Sequence, residues 1–133
     1  MEEKLFNAAI QLINIRYPFG WGGVAALATE SGKILTSVAP ETKNDALVLC
    51  MEMGACLEAH KINERITHSL CLCRESPASE IIILTPCGIC QERLSHWGGD
   101  VSVAVSNAEN KPVFKTLREL MPYHWSMVNG KAL

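Results

Sequence analysis

Cys50-Met51-Glu52 and, further along the chain, Pro86-Cys87-Gly88-Ile89-Cys90 supply three soft metal ligands and one carboxylate. Thiolates suit zinc, and three of them leave a tetrahedral ion one position short. A structural zinc site closes with four protein ligands, whereas a catalytic one keeps three and leaves the fourth position to water or substrate. Glu52, two residues after the first ligand, is placed to handle that water's protons. Two other readings of these residues stand beside the catalytic one. Cys87 and Cys90 alone suit a redox dithiol or half of a structural zinc knuckle. In a closed site, Glu52 or another side chain would complete the tetrahedron without turnover.

The elements around these residues make their spacing usable. Ile81-Ile82-Ile83-Leu84 is a short apolar run rich in β-branched residues and reads as a buried strand that breaks at Thr85-Pro86. From Gly88 to Trp97 the chain reads as a helix with Ile89, Leu94 and Trp97 on its core side. Cys87 and Cys90 then lie about one turn apart and can point at one ion. A second helix is expected from Cys50 to Ile62, with Met51, Ala55, Cys56, Leu57, Ala59 and Ile62 inward and Glu58 and Lys61 on its polar face. Both ligand groups therefore sit at helix starts, where free amides favour the negative charge of a three-thiolate site.

A Cys-x-Glu at one helix start and a Pro-Cys-x-x-Cys at another resemble the zinc nucleoside deaminases, specifically the small cytidine deaminase and blasticidin S deaminase group. Further segments extend the resemblance over most of the chain. Trp21-Gly22-Gly23-Val24-Ala25-Ala26-Leu27 is similar to the family's first-strand segment, and Ser31-Gly32-Lys33-Ile34-Leu35-Thr36 to its first hairpin and second strand. Ala39-Pro40-Glu41 falls where the family carries an Asn-x-Glu pair that binds ribose, and Leu117-Arg118-Glu119-Leu120-Met121-Pro122 resembles its C-terminal Leu-Leu-Pro segment.

The resemblance implies a zinc-dependent hydrolase that deaminates a free cytidine-type nucleoside to its uridine-type product and ammonia. One zinc ion per chain would be held by Cys50, Cys87 and Cys90, with Glu52 as the catalytic acid and base. Zinc-bound water loses its proton near pH ~7 rather than ~15.7, so hydroxide is available for attack on the ring carbon that bears the amine. Trp21 is expected to line the base pocket, Glu41 to accept from a sugar hydroxyl, and Trp125 to cover the pocket of its own or a neighbouring subunit. A homotetramer is the expected assembly and a homodimer the alternative. Three positions depart from the family: Ala39 replaces the ribose-binding asparagine, Met53 a frequent arginine, and Gln91-Glu92 the usual Arg-Gln. A modified aminopyrimidine nucleoside such as blasticidin S is therefore the alternative substrate.

At 133 residues the chain is expected to form one domain, 1–133, with a core that needs no disulfide. Met1-Glu2-Glu3-Lys4 leads into Leu5, Ala9, Leu12, Ile13 and Arg16, an amphipathic helix pattern and not a secretory leader. No apolar run nears the roughly 18 residues that span a membrane. A cytoplasmic protein in pyrimidine metabolism is expected, with its thiols reduced or metal-bound. A net charge of −2 and a pI near 6.1 give no basic footprint for a nucleic acid polymer. Cys56, Cys71 and Cys73 read as small buried residues; His60, His68, His96 and His124 carry no ligand spacing, although His124 lies between two aromatics near the pocket wall.

Strands are expected at Trp21 to Thr29, Lys33 to Val38, Thr67 to Cys73, Ile81 to Leu84 and Val101 to Ser106. With interleaved helices and a mostly parallel later half, they predict an α/β protein, a three-layer α-β-α sandwich around a mixed five-stranded sheet.

Overall fold

Strand β1 (Gly22–Thr29) is buried at all eight of its residues. Its sequence, Gly-Gly-Val-Ala-Ala-Leu-Ala-Thr, lets helices approach both faces closely. On one face, Val24, Ala26 and Ala28 meet Leu5, Ala9 and Ile13 of α1 (Glu2–Arg16). On the other, Ala25 and Leu27 meet Ala55, Cys56 and Ala59 of α2 (Met53–Ile62), with Leu94 of α3 (Gly88–Leu94) in the same cluster. The computed structural model, which describes residues 1–133, is thus the α-β-α sandwich that the hydrophobic pattern predicts.

The sheet differs in strand number and direction. Its order is β2 (Ile34–Val38), β1, β3 (Ile66–Arg74), β5 (Ser102–Ala104) and β6 (Phe114–Thr116), while β4 (Ile82–Leu84) pairs on β3 beside β5. There are six strands rather than five, and β3 with β5 is the one parallel pair. The β3–β4 connection is too short for a crossover, so β4 must fold back antiparallel; α3 then carries the chain across to the parallel β5. The missed strand, Phe114-Lys115-Thr116, is too short to show a period and runs into α4 (Leu117–Leu120).

Two ties fix the elements that lead to the ligands. Arg74, only 6% exposed, donates to Asn14 Oδ1 (2.7 Å) and to the carbonyls of Ile13 (3.3 Å) and Tyr17 (3.1 Å). A cation is thereby set against the C-terminal end of α1, where the helix dipole favours it. The Tyr17 hydroxyl in turn donates to the Ala39 carbonyl (2.8 Å), joining that corner to the end of β2.

At the far end of α2, Glu64 accepts from Lys33 and from Ser31 (2.5 Å), which ties the β1–β2 turn to the α2–β3 connection. The Lys33, Ser31 and Thr29 contacts lower its pKa from 4.5 to about 2. A carboxylate with a depressed folded pKa stabilises the fold above its ordinary value and loses that contribution as pH falls through the folded one. In Glu64→Gln, the urea midpoint should therefore depend less steeply on pH between 4.5 and 2 than in the parent chain.

Candidate active site

Met51 and Glu52 form the turn that enters α2, which starts three residues later than the apolar pattern suggests because this turn follows Cys50. The Met53 amide donates to the Cys50 carbonyl (3.1 Å), and the Cys56 amide to the carbonyl of Glu52, the N-cap residue (3.0 Å). This turn is pressed against the sheet edge. Ser37 Oγ donates to the Met51 carbonyl (2.5 Å), and a Cβ on Gly54 would stand 2.8 Å from Ser37 Cβ, so only glycine allows so close an approach.

The second ligand group hangs from the ends of β4 and β5. The Thr85 amide donates to Ser106 Oγ and the Ser106 amide to Thr85 Oγ1, both at 2.9 Å. Cys87 then caps α3 with extended backbone, and its carbonyl accepts from the Gln91 amide (2.8 Å). Gln91 Nε2 also donates to the Pro86 carbonyl (2.8 Å), so this side chain braces the Pro86-Cys87 turn. Ile89 and Leu57, both expected inside, are 62% and 54% exposed because they sit on the outer faces of α3 and α2.

Cys50, Cys87 and Cys90 sulfurs all lie within 4.8 Å of one another, and Cys50 Sγ is 3.3 Å from Cys87 Sγ. Three sulfurs bound at ~2.3 Å to one tetrahedral ion would stand ~3.8 Å apart, so the triangle suits such an ion. Cys87 is exposed, Cys50 half-buried and Cys90 buried. Glu52, 4% exposed, places Oε2 at 3.3 Å from Cys90 Sγ. Beside them is a cavity of about 150 Å³ walled by Met51, Glu52, Cys71, Leu84 and Thr85 together with the Cys50 and Cys87 ligands.

Electrostatics favour a cation here. Burial, and after it the Glu52 charge, pushes the Cys90 thiol far above its ordinary range, and burial also raises Cys50. Burial would raise Cys87 too, but the amides of Cys90 and Ile89 and the neighbouring thiols outweigh it and hold this thiol below its usual value. Burial and then Glu52 push Cys56 up to about 11, and the same two causes place Cys71 well above the usual thiol range. A divalent cation reverses the repulsion, and the soft, convergent donor set fits zinc.

None of the remaining expected site residues, Trp21, Glu41 and Trp125, lines this cavity. Trp21, 44% exposed, lays its ring edge over Gly23, and a Cβ there would stand 2.6 Å from the indole and 3.1 Å from Met51 Cε. Glu41 is exposed and close enough to Tyr17 for its charge to raise that phenol, although burial is the larger cause. Trp125 is 69% exposed and donates through Nε1 to Glu92 Oε1 (2.9 Å). Buried His124 pairs with the other Glu92 oxygen (2.6 Å). Glu92 thus clasps the C-terminal 3-10 turn, Trp125–Asn129, onto α3. Sequence reasoning missed Glu92 and Thr85 as supports and treated Cys71 as core alone; Thr85 at least was marked by its place before Pro86-Cys87.

No protein-family model matches the chain. The fold is that of solved cytidine deaminases from Mycobacterium leprae (20% identity over 90% of this chain and 96% of that one, TM-score 0.69) and Burkholderia pseudomallei (19% identity, 92% and 98%, TM-score 0.71). The cytidine deaminase from Bacillus anthracis is 51% identical over 97% of this chain and 92% of its own, with a TM-score of 0.95. The chain belongs to the cytidine deaminase family.

The thiol environments differ enough to be read by labelling. In metal-free folded protein at neutral pH, iodoacetamide should modify exposed Cys87 first and leave buried Cys56 and Cys71 untouched, as read by peptide mass spectrometry. Labelling of Cys71 before Cys87 would contradict the arrangement described.

Proposed function

We propose that the chain, acting as one domain over 1–133, is a zinc-dependent hydrolase that deaminates a free cytidine-type nucleoside with release of ammonia. The observation that carries this reading is the buried Glu52 carboxylate 3.3 Å from Cys90 within the Cys50, Cys87, Cys90 triangle, in a chain 51% identical to a solved cytidine deaminase. Those three thiolates would hold one zinc ion, which when bound supplies the Lewis acidity that lets water give up a proton near neutral pH. Glu52 takes that proton on a carboxylate oxygen and passes it to the ring nitrogen beside the carbon under attack. It then carries a second proton from the added hydroxyl to the exocyclic amine. The new C–O bond becomes a carbonyl as the C–N bond breaks and ammonia leaves. The adjoining cavity of about 150 Å³ is of the size that holds one six-membered ring.

Recognition beyond the ring belongs to the surrounding residues. Trp21 offers an aromatic face beside Met51, and Glu41 is free to accept from a sugar hydroxyl. Trp125 covers the pocket of its own or a neighbouring subunit in a homotetramer, with a homodimer as the alternative. Exposed Leu47, Val48, Leu49 and Ile89 next to the ligands support such a contact. The net charge of −2 supports a free nucleoside over a nucleic acid polymer. No helix is long and apolar enough to cross a membrane. Six free cysteines support a reducing cytoplasm.

A modified aminopyrimidine nucleoside such as blasticidin S is a second reading, supported by two features. Ala39 has no polar side chain and its carbonyl is taken by Tyr17. A cleft of about 410 Å³ on the β2 side of Cys50, walled in part by Val38, Pro40 and Leu49, suits a less hydroxylated substituent than ribose.

Ammonia release from cytidine, deoxycytidine, cytosine and blasticidin S, with zinc measured on the same sample, tests these readings together. Cytidine or deoxycytidine should be the best substrate, and chelation should abolish turnover until zinc is restored. Glu52→Gln should lower kcat by at least about 10²-fold while keeping its zinc. Zinc lost from that variant would point instead to a closed structural site.

A further inference from the structure

Met51, the residue between the first cysteine and Glu52, walls the cavity of about 150 Å³. Its backbone is pinned to the sheet edge, because its carbonyl accepts from Ser37 Oγ (2.5 Å). Its side chain is half-buried and packs against the core cluster that faces α2 and α3. From there the thioether reaches β1: a Cβ added to Gly23 would stand 3.1 Å from Met51 Cε and 2.6 Å from the Trp21 indole. Met51 therefore extends from the cavity wall to the spot that the indole covers, whereas Trp21 itself does not line the cavity.

This placement bears on which ring the cavity admits. Leu84, the other large apolar wall, is held in β4 by its pairing with Cys71 of β3. Met51 is unbranched, and a thioether takes its position from what it packs against. Gly23 supplies the room for its methyl end, which a side chain there would push back. In an apolar pocket a single methylene changes discrimination by about 10- to 200-fold, so the lie of one such wall can decide between a plain ring and a substituted one.

We propose that Met51 gauges the ring cavity, its thioether closing the side toward Gly23 and Trp21 so that a plain cytosine ring fits and a ring methylated on either CH carbon is disfavoured. The proposal rests on the deaminase reading above. In that reading one ring carbon is attacked and the adjacent ring nitrogen takes its proton from Glu52, which leaves the two CH carbons to meet the walls. Met51 is then a specificity-determining residue, with a task separate from the proton transfers of Glu52.

Specificity constants for cytidine, 5-methylcytidine and 6-methylcytidine, measured on the zinc-loaded parent chain, Met51→Ala and Met51→Leu, give the test in turnover. The parent should favour cytidine over both methylated nucleosides. Met51→Ala removes the thioether beyond Cβ and should raise kcat/KM for at least one of them, relative to cytidine, by about tenfold or more. Met51→Leu, close to methionine in volume, should hold the parent's ratio. A parent indifferent to the methyl groups, ratios unchanged in Met51→Ala, or equal rises in both variants would overturn the proposal. Methyl NMR tests the contact without turnover and in the unaltered chain. With isotope-labelled methionine methyls, the Met51 signal, one of five and assigned by its loss in Met51→Leu, should shift when the product uridine is added. A Met51 signal unmoved at uridine concentrations that fully inhibit ammonia release would also overturn it. A parent chain that releases no ammonia from any cytosine nucleoside would remove the deaminase reading itself, a result distinct from an active parent whose Met51 ignores the ring.

Discussion

Four groups that can become anions, the Cys50, Cys87 and Cys90 sulfurs and the Glu52 carboxylate, are crowded at the meeting of two helix starts, and the surrounding structure holds them there. Burial, and after it the Glu52 charge, raises the Cys90 thiol, while the free amides at the start of α3 help to lower the Cys87 thiol that faces solvent. Such a cluster is at ease only around a cation. Each helix start is accordingly held from outside the helix. Ser37 and Gly54 press α2 onto β2, while the Thr85 and Ser106 pair and the Gln91 brace secure the turn into α3.

These local contacts work because the sheet beneath them is well anchored. β1 and β3 are joined along their full lengths, and separate apolar clusters seal the two faces. Arg74 and Tyr17 link the end of α1 to the end of β2, so the loop carrying Trp21 starts from a fixed corner. The three cysteines and Glu52 thus stand on well-anchored elements. The aromatic residues Trp21, Tyr123 and Trp125 remain partly or largely in solvent.

Much of this was legible in the sequence because it is local. The ligand spacing, the strand breaking at Pro86 and the helix beginning at Cys87 all involve neighbours within a few residues. Short strands were harder, since Phe114-Lys115-Thr116 offers no period and the direction of β4 depends on connection length. Ile89 and Leu57 misled because apolar character was taken for burial. The Glu92 clasp unites residues 32 and 33 positions apart and has no motif. Cys71 shows the limit most plainly: alternation assigns its face of the strand, but nothing in the chain's order says that this face walls a cavity together with Glu52.

The small side chains of β1 have a consequence for how such a protein can diversify. With Ala25, Ala26 and Ala28 leaving little volume between the layers, an enlarged side chain there must displace a helix. Lineages are left freer to vary at the sheet margins and in the 39–49 loop, away from this strand. Change can therefore gather at the sheet margins without disturbing the layers, which is how Ala39 and an intact Cys-x-Glu can occupy one chain.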